Sequence, residues 1–471
     1  MKKPSILYIK PPDPYLQDEF VYQQLGPHYI QSYTNHHGYD SKMLIFYVRD
    51  RDSGVEPTSV YDLNMLLYDG DTEEYDGIFD ENIFSEFDLL ALSVMSPQAE
   101  YAYWISELVN QKFPDKKLMI GGSHARYYLD QVKALPPELA FDYIVPQDGW
   151  LPMLNLLERN LPDLGRSYVF SHKQDLKQIF TPPTRPTSLL KRYNYEIAGL
   201  KAYHMITALG CPFSCHFCES GFENVRFFSE DMIKMDLARI AQVHKELGRD
   251  RYSIMFFDDV GLLNPRQAQK LSNLIKQEGY TTWRAFTHAY LIVKYEDRLL
   301  RPFHESGGRR VGIGLETGSQ KSLDLINKRN GKKQNVQEHY EAVKVANKNG
   351  IAVDAFTMIY PWEDLSDLKQ TTEMIEFIVA NPVDGQDEKG RPLRNYVDAT
   401  IMTPYQGTKF NEMIQLGQIP NVRLKDKITS DLLFYKGTNA QSGWPYAETK
   451  LSREQYIKEQ NYRNSLRPKY R

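Results

Sequence analysis

The first 160 residues alternate short apolar runs with longer stretches of helical periodicity. The apolar runs predict five strands, at 5–9, 43–47, 89–94, 117–122 and 142–145. The stretch QAEYAYWISELVNQKF predicts a helix, because Tyr101, Ile105 and Leu108 recur at helical spacing. Strands that alternate with helices predict a doubly wound, Rossmann-like parallel sheet, in which ligands bind beyond the carboxyl ends of the strands.

The pattern loosens between residues 161 and 200, where the proline-rich stretch TPPTRPTS indicates a linker. A second alternating series then begins. Its strands are predicted at 203–209, 252–259, 281–288, 309–316, 351–360 and 398–404, and its helices at about 229–247, 265–278, 295–306, 335–349 and 366–380. Six successive βα units favour a partial, TIM-like (β/α)6 barrel over residues 201–405. Residues 406–471 are polar and predict a small C-terminal helical segment. The predicted class is therefore α/β throughout, with the doubly wound domain over residues 1–160.

Composition and charge narrow the possible partners. The 471 residues include 57 Lys and Arg against 61 Asp and Glu, so the clustered basic excess of a nucleic-acid-binding surface is not expected. No apolar run approaches the roughly 20 residues of a membrane span. The start, MKKPSILYIKPP, is too short in apolar residues for a signal peptide. Three clustered cysteines do not form a disulfide framework, so we expect a cytoplasmic protein.

All three cysteines lie in ITALGCPFSCHFCES, directly after the first strand of the second series. A zinc site needs four ligands, and His216 is squeezed between Cys215 and Cys218, where its ring would struggle to reach the same metal. A redox pair of Cys215 and Cys218 leaves Cys211 unexplained. A four-iron cluster held by three thiolates has one iron without a protein ligand, which leaves a place for a substrate or cofactor. This last alternative accounts best for the number of cysteines.

The spacing C-x3-C-x2-C, with Phe217 just before the last cysteine, resembles the signature of radical S-adenosylmethionine (radical SAM) enzymes. The resemblance implies that Cys211, Cys215 and Cys218 hold a [4Fe–4S] cluster whose open iron binds S-adenosylmethionine near Phe217. It also implies that an electron from a donor such as flavodoxin or ferredoxin, delivered through the cluster, cleaves S-adenosylmethionine to a 5′-deoxyadenosyl radical.

Three further segments of the second series resemble the same family. In VRFFSEDMIKMDLARI the resemblance assigns Arg226 and Ser229 to S-adenosylmethionine, whereas helix physics alone favours Ser229 as an N-cap. FFDDVGLLNP is similar to the second-strand motif, in which Asp258 and Asp259 would face S-adenosylmethionine or the substrate. GIGLETGSQ is similar to the fourth-strand motif, in which Glu316 would reach the ribose or amine of S-adenosylmethionine.

Two positions on the barrel depart from the family pattern. In MIYPWED, Tyr360 and Trp362 stand where glycines are common, and we expect these bulky rings to narrow or reshape the cavity mouth. His288 stands where the third strand often ends in arginine, which would put it on the substrate side.

The N-terminal part resembles the cobalamin-binding domain that precedes the barrel in one large class of these enzymes. The resemblance rests on LLALSV, KLMIGGSHA and DYIVPQDGWLPMLNLL. It would place five residues near the corrinoid: Ser93, Gly121, Gly122, His124 and Gly149. No D-x-H-x-x-G motif marks a lower axial ligand for cobalt, and QDGW stands where the class usually has G-E-G-E.

Three hypotheses about function follow. The first is a cobalamin-dependent radical SAM enzyme that methylates an unactivated carbon of a small molecule or peptide. The second is a cobalamin-free radical SAM enzyme that closes rings or oxidises, with a vestigial N-terminal domain. The third is a non-catalytic iron–sulfur or zinc-binding protein. Because the chain has only three cysteines, it lacks the ligands for the second cluster of methylthiotransferases and auxiliary-cluster maturases.

Overall fold

The computed structural model describes residues 2–13, 19–21, 23–48, 57–221, 223–277, 282–329, 332, 334–426 and 444–468. Parts of the predicted elements, residues 278 and 281 and residues 427–443 of the C-terminal segment, lie outside these ranges. Contacts divide the chain into two units, residues 1–194 with 228–248, and residues 195–227 with 249–471. The domain boundaries proposed above, at residues 160, 200 and 405, remain predictions.

The first unit is built on one eight-stranded sheet. Its strands are β1 Ile6–Lys10, β2 Ser41–Tyr47, β3 Asn64–Asp69, β4 Thr72–Ile78, β5 Leu89–Ser93, β6 Lys117–Gly121, β7 Tyr143–Val145 and β8 Tyr168–Val169. They run in the order β4-β3-β2-β1-β5-β6-β7-β8. The pairs β2–β1, β1–β5, β5–β6, β6–β7 and β7–β8 are parallel. At the edge next to β2, the strands β3 and β4 add an antiparallel hairpin. The doubly wound parallel sheet is confirmed.

Helices connect and accompany the strands of this sheet. They are α1 Leu25–His36, α2 Ala99–Lys112, α3 Ser123–Tyr127, α4 Leu129–Lys133, α5 Trp150–Glu158, α6 Thr187–Arg192 and α7 Glu230–Glu246. The predicted helix over 98–113 is α2, which buries Tyr101, Ile105 and Leu108 as its periodicity requires. The central strands are apolar along their whole length, as in β1, where every residue is buried, because helices pack on parallel sheets from both faces.

A buried ion pair ties α7 to the chain before α6. The Arg185 guanidinium donates to both carboxylate oxygens of Asp236, with 2.8 Å between Nη2 and Oδ2, and both side chains are fully buried. A third bond from the same guanidinium goes to Gln23 Oε1 at 3.0 Å. Burial of these charges is tolerated because each has its partner and full hydrogen bonding.

The second unit is a curled, open barrel. Its strands are β9 Glu196–Ile197, β10 Leu200–Met205, β11 Ala208–Leu209, β12 Arg226–Phe227, β13 Ser253–Phe256, β14 Thr282–Thr287, β15 Gly308–Glu316, β16 Ala352–Ile359, β17 Tyr396–Ile401, β18 Arg423–Leu424 and β19 Tyr446–Glu448. The main sheet has the order β17-β16-β15-β14-β13-β10-β9, with β10 and β13 to β17 all parallel. The six predicted barrel strands are therefore present in chain order.

The helices of this unit follow the strands. They are α8 Pro265–Gln277, α9 Ala289–Tyr295, α10 Asp297–Glu305, α11 Gln320–Ile326, α12 Gln337–Lys348, α13 Leu365–Ala380, α14 Lys409–Gln415 and α15 Arg453–Ser465. The helix predicted over 295–306 is α10, and α9 was not predicted. Glu296, with φ +45°, separates the two. No helix in the described parts of the chain is long and apolar enough to span a membrane.

Two features close the ends of the barrel sheet. Near the amino ends of the strands, buried Asp354 of β16 accepts hydrogen bonds from Arg284 of β14 and Arg310 of β15, both at 2.5 Å. Along the edge strand β17, α15 supplies side-chain partners for the backbone. There, Asn464 donates to the Ala399 carbonyl at 3.0 Å and accepts from the Ala399 N–H at 3.0 Å. The carboxyl ends of the strands are left to the loops.

Substituting Asp236 by Ala should lower the free energy of unfolding by about 3–5 kcal/mol, because the buried Arg185 charge would lose its partner. Lys42→Ala is the matched control in the same unit, since its pair with Glu74 is 28% and 33% exposed and should contribute only about 0–1 kcal/mol. Urea unfolding followed by circular dichroism measures both. Equal losses in the two variants would contradict this account of α7.

Candidate functional site

The three cysteines lie on one loop, of which residues 210–221 and 223–225 are described, and we call it the cysteine loop. It is closed at its base by the antiparallel pair β11–β12, in which Ala208 faces Phe227 and Leu209 faces Arg226. The Glu223 N–H also donates to the Cys211 carbonyl at 2.9 Å. The predicted strand over 203–209 is thus interrupted, because β10 ends at Met205 and β11 belongs to this small second sheet. The loop stands at the carboxyl end of the first barrel strand.

The thiols of the cysteine loop are unbridged and partly buried. Burial raises the pKa of Cys215 to about 12 and that of Cys218 to about 11, and it also raises the pKa of Cys211. The charges of Cys211 and Cys218 raise the pKa of Cys215 further. Thiolates are the ligands of iron, and a buried trio of thiols becomes a trio of thiolates when cationic iron is bound. The donor set therefore fits an iron–sulfur cluster.

His216 is the candidate fourth ligand of a single metal ion in this loop. Across the described ranges, no group of three or more His, Cys, Asp and Glu side chains is placed to hold one metal ion. His216 uses its Nδ1–H to donate to the Leu325 carbonyl at 2.9 Å. That nitrogen is consequently engaged with α11.

The C-terminal end of α11 holds the cysteine loop. The His216 N–H donates to the Ile326 carbonyl at 2.9 Å, next to the ring contact with Leu325. The Asn327 amide donates to Ser214 Oγ at 3.2 Å. These bonds bracket Cys215 on both sides along the chain. His216 is therefore a tether of the loop, a role that the sequence alone did not indicate.

An aromatic cluster supports the loop from the C-terminal segment. The Phe410 N–H donates to the His216 carbonyl at 2.9 Å, and the two rings meet edge-on with centroids 5.6 Å apart. Phe410 packs against Trp362 at 4.9 Å and against Tyr360 at 6.3 Å, and Phe217 packs against the same cluster. Tyr360 and Trp362 are buried at 0% and 5% exposure. They pack in a buried cluster with Phe410 of the C-terminal segment, and their effect on the shape of the cavity mouth stays a prediction.

The paired acids after β13 fasten the chain that leads into the cysteine loop. Asp258 accepts hydrogen bonds from the Thr207 N–H at 2.6 Å and the Ala208 N–H at 3.1 Å. Asp259 accepts from the Gly210 N–H at 2.9 Å. Burial raises the pKa of Asp258 to about 6, against the opposing effect of the Thr207 hydrogen bonds. Both carboxylates therefore position the backbone just before Cys211.

Glu316 ends β15 in a strained conformation beside a buried lysine. Its φ is +66°, and the register with β16 shifts between Gly314 and Glu316. Such bulges and left-handed residues are typical of functional sites. The Glu316 carboxylate pairs with Lys328 Nζ at 2.8 Å, and Lys328 also donates to the Gly314 carbonyl. A Cβ on Gly314 would lie 2.2 Å from Glu316 Oε1 and 2.8 Å from Lys328 Nζ, which explains the glycine in this motif.

The remaining predicted residues of the second series, Arg226, Ser229 and His288, each make a local structural contact. Arg226 pairs through its backbone in β12. The Ser229 hydroxyl accepts from the Met232 N–H and caps α7, as helix physics favoured. His288 caps α9 by accepting from the Tyr290 N–H at 3.1 Å. Its ring stacks on Phe213 of the cysteine loop at 4.5 Å, and burial holds its pKa well below the usual value.

The residues assigned to cobalamin lie in the first unit, at or just after the carboxyl ends of strands. Ser93 ends β5, Gly121 ends β6, and Gly149 directly precedes α5. Gly122 has φ +91°, and a Cβ there would lie 2.6 Å from the Val94 carbonyl oxygen. A glycine is therefore needed where the chain turns sharply after β6.

His124 is enclosed by aromatic residues. Its Nε2 is 2.7 Å from the Tyr103 hydroxyl, and its ring stacks on Tyr128 with centroids 5.0 Å apart. Burial lowers its pKa to about 4. The imidazole is therefore neutral at physiological pH.

Sequence reasoning missed Lys328, Asn327 and Phe410. The only local signal was the αL-compatible Asn327 after an apolar helix, which is a common helix end. The contacts of Asn327 with Ser214 and of Phe410 with His216 join segments more than a hundred positions apart in the sequence. Lys328 contacts Glu316 and Gly314, which precede it by 12 and 14 positions.

Comparison with known proteins finds a family match over most of the barrel strands. Residues 205–375 match the sequence model of the Radical SAM superfamily. An uncharacterised methyltransferase of Pyrococcus horikoshii is 25% identical over 379 residues, which cover 75% of this chain and 76% of that protein.

Two solved structures share the fold along most of the chain. One is OxsB, a cobalamin-dependent S-adenosylmethionine radical enzyme, with TM-score 0.71 and 15% identity over 98% of this chain and 66% of OxsB. The other is TsrM of Kitasatospora setae, a radical S-adenosylmethionine methyltransferase, with TM-score 0.61 and 10% identity over 91% of this chain and 82% of TsrM. This chain thus spans just under two thirds of the length of OxsB.

Replacing His216 by Ala should lower the iron content after reconstitution without changing the type of cluster, because one tether worth about 0.5–1.5 kcal/mol is lost while all three thiols remain. Electron paramagnetic resonance and iron analysis measure this. His36→Ala, at an exposed histidine, is the control. A changed cluster spectrum in H216A would instead indicate that His216 is a ligand.

Replacing Gly314 by Ala should destabilise the second unit by about 1–3 kcal/mol, since the new methyl group overlaps the Glu316–Lys328 pair. Thermal unfolding of the full chain measures the loss. Gly26→Ala in α1, where a Cβ would meet no atom within 4 Å, should be neutral or slightly stabilising. The account of Gly314 fails if both variants melt like the wild type.

Proposed function

We propose that this chain, whose second unit carries a radical SAM domain, cleaves S-adenosylmethionine with one [4Fe–4S] cluster and uses cobalamin to methylate an unactivated carbon of a small molecule or peptide. The observation that carries the proposal is the cysteine loop. It carries three thiols within eight residues just after the first barrel strand, and the chain has no further cysteine. Active sites of such barrels lie at this end of the strands.

In this proposal Cys211, Cys215 and Cys218 hold the cluster and leave one iron for S-adenosylmethionine. When bound, the cluster supplies the electron that breaks the sulfonium bond. Asp258 and Asp259 fix the backbone that leads into Cys211, so their effect on S-adenosylmethionine is one of positioning.

Four other side chains are proposed to meet S-adenosylmethionine: Phe217, Arg226, Ser229 and Glu316. The support is strongest for Glu316, because its strained backbone and buried carboxylate are held at the carboxyl end of β15. Ser229 would contribute mainly through α7, whose first turn it caps. An external one-electron donor such as flavodoxin or ferredoxin completes the reaction.

Cobalamin is proposed to lie at the strand ends of the first unit, near Ser93, Gly121, Gly122, His124 and Gly149. Small residues at three strand or helix ends suit a broad, flat ligand that approaches the backbone. His124 is bonded to Tyr103 and buried, so we propose that the cobalt takes no lower ligand from this histidine. The named relative and the two solved structures support a methyltransferase with this cofactor.

The test is anaerobic purification from cobalamin-fed cells, followed by cluster reconstitution, reduction and incubation with S-adenosylmethionine. We expect 5′-deoxyadenosine from the wild type and at least a hundredfold less, about 3 kcal/mol, from Cys215→Ala, because the cluster loses a ligand. Thermal unfolding of C215A shows whether the fold survives, since the chain offers no cysteine outside the loop as a control. A wild type that binds no cluster or forms no 5′-deoxyadenosine would overturn the enzyme proposal.

The cobalamin part has its own readout. We expect the purified chain to retain a corrinoid absorption spectrum. A chain that cleaves S-adenosylmethionine but binds no corrinoid, even when cobalamin is added, would favour the cobalamin-free alternative.

A further inference from the structure

Lys328 is a buried cation beside the cysteine loop. Its side chain is 5% exposed, and that of its partner Glu316 is 8% exposed. The ammonium group donates to Glu316 Oε1 at 2.8 Å and to the Gly314 carbonyl. A lysine is almost never buried so deeply unless its charge has a use or a partner.

The fold places Lys328 through the same tether that holds the loop. α11 ends at Ile326, and Asn327 turns the chain with φ +58°. Ile326 and Asn327 bond to His216 and Ser214 on either side of Cys215. Lys328 is the next residue, so the segment that fastens the cysteine loop also delivers the cation.

The charge of Lys328 acts on two of the three thiols. It lowers the pKa of both Cys211 and Cys215, and at Cys215 its effect is larger than the opposing effect of Glu316. Glu316 instead raises the pKa of Cys218. These directions agree with the tether, which places Lys328 next to the residues bonded on either side of Cys215.

We propose that Lys328, held in place by Glu316, is the buried cation that sets the reduction potential of the cluster. The inference rests on the proposed function, because it assumes the [4Fe–4S] cluster. One electron from an external reductant enters the cluster and adds one negative charge to a site that already holds three thiolates. A fixed cation nearby stabilises that reduced form and raises the potential, since charge and solvent exposure tune such clusters.

The experiment is a potentiometric titration of the reconstituted full chain without S-adenosylmethionine, followed by electron paramagnetic resonance. We expect Lys328→Met to shift the midpoint potential to a more negative value, and Lys328→Arg to stay near the wild type because it keeps the charge. Lys321→Met is the matched control, since that lysine is 62% exposed and pairs with Asp367, and it should not move the potential. Iron content and thermal unfolding accompany each measurement.

A second variant guards against misfolding of K328M. Lys328→Met combined with Glu316→Gln leaves no unpaired buried charge. We expect its potential to lie between those of K328M and the wild type. Wild-type potentials in both K328M and the double variant would overturn the inference, as would a K328R potential as negative as that of K328M.

The outcome is distinguishable from a failure of the proposed function. The potential is read on the cluster itself, with no turnover. The wild type can hold the cluster and cleave S-adenosylmethionine while K328M and the double variant have the wild-type potential. In that case only the role of Lys328 is wrong. If the wild type holds no [4Fe–4S] cluster, both proposals fall together.

Discussion

The cysteine loop depends on partners that lie far away in the chain. Three thiols within eight residues leave the loop little room for a hydrogen-bonded structure of its own, and the bond from the Cys218 N–H to the Cys215 carbonyl is a short-range exception. Its shape is set from outside, by the acids after β13, by the end of α11 and by Phe410 of the C-terminal segment. These tethers bond to the backbone or to the side chains of Ser214 and His216, so they leave the cysteine thiols as ligands. A loop held in this way can be ordered before iron arrives, which lowers the entropic cost of binding it.

The fold was predictable because it follows from burial. A parallel sheet covered on both faces needs strands that are apolar throughout, and β1 and β5 have this signature. The edge strand β4 escaped prediction for the opposite reason, whereas β3 was missed although it is apolar and buried. β4 is mostly exposed, so its identity as a strand comes from pairing with β3 and leaves no apolar pattern. The break between β10 and β11 likewise depends on Asp258, which draws the Thr207 backbone away from the sheet.

At the site, the residue types with a fixed local spacing were predictable and their supports were not. The cysteines and the glycine–acid motif can be recognised in the sequence. The position of Lys328 beside the cysteine loop depends on its contact with Glu316 and on the tether that precedes it, and neither can be recognised in the sequence. Tyr360 and Trp362 illustrate the same limit. Their bulk was visible, but the side they face depends on Phe410, which follows them by about fifty positions in the chain and packs against them.

The last helix has a consequence for how the protein behaves in a crowded solution. An open barrel leaves the backbone of its outermost strand exposed, and an unpaired strand edge invites other chains to add to it. In α15, Asn464 binds both the N–H and the carbonyl of Ala399, and Gln460 donates to the same carbonyl at 3.1 Å. These side chains imitate a neighbouring strand without extending the sheet. The helix therefore hinders the pairing of this edge strand with other chains, although the barrel is open on this side.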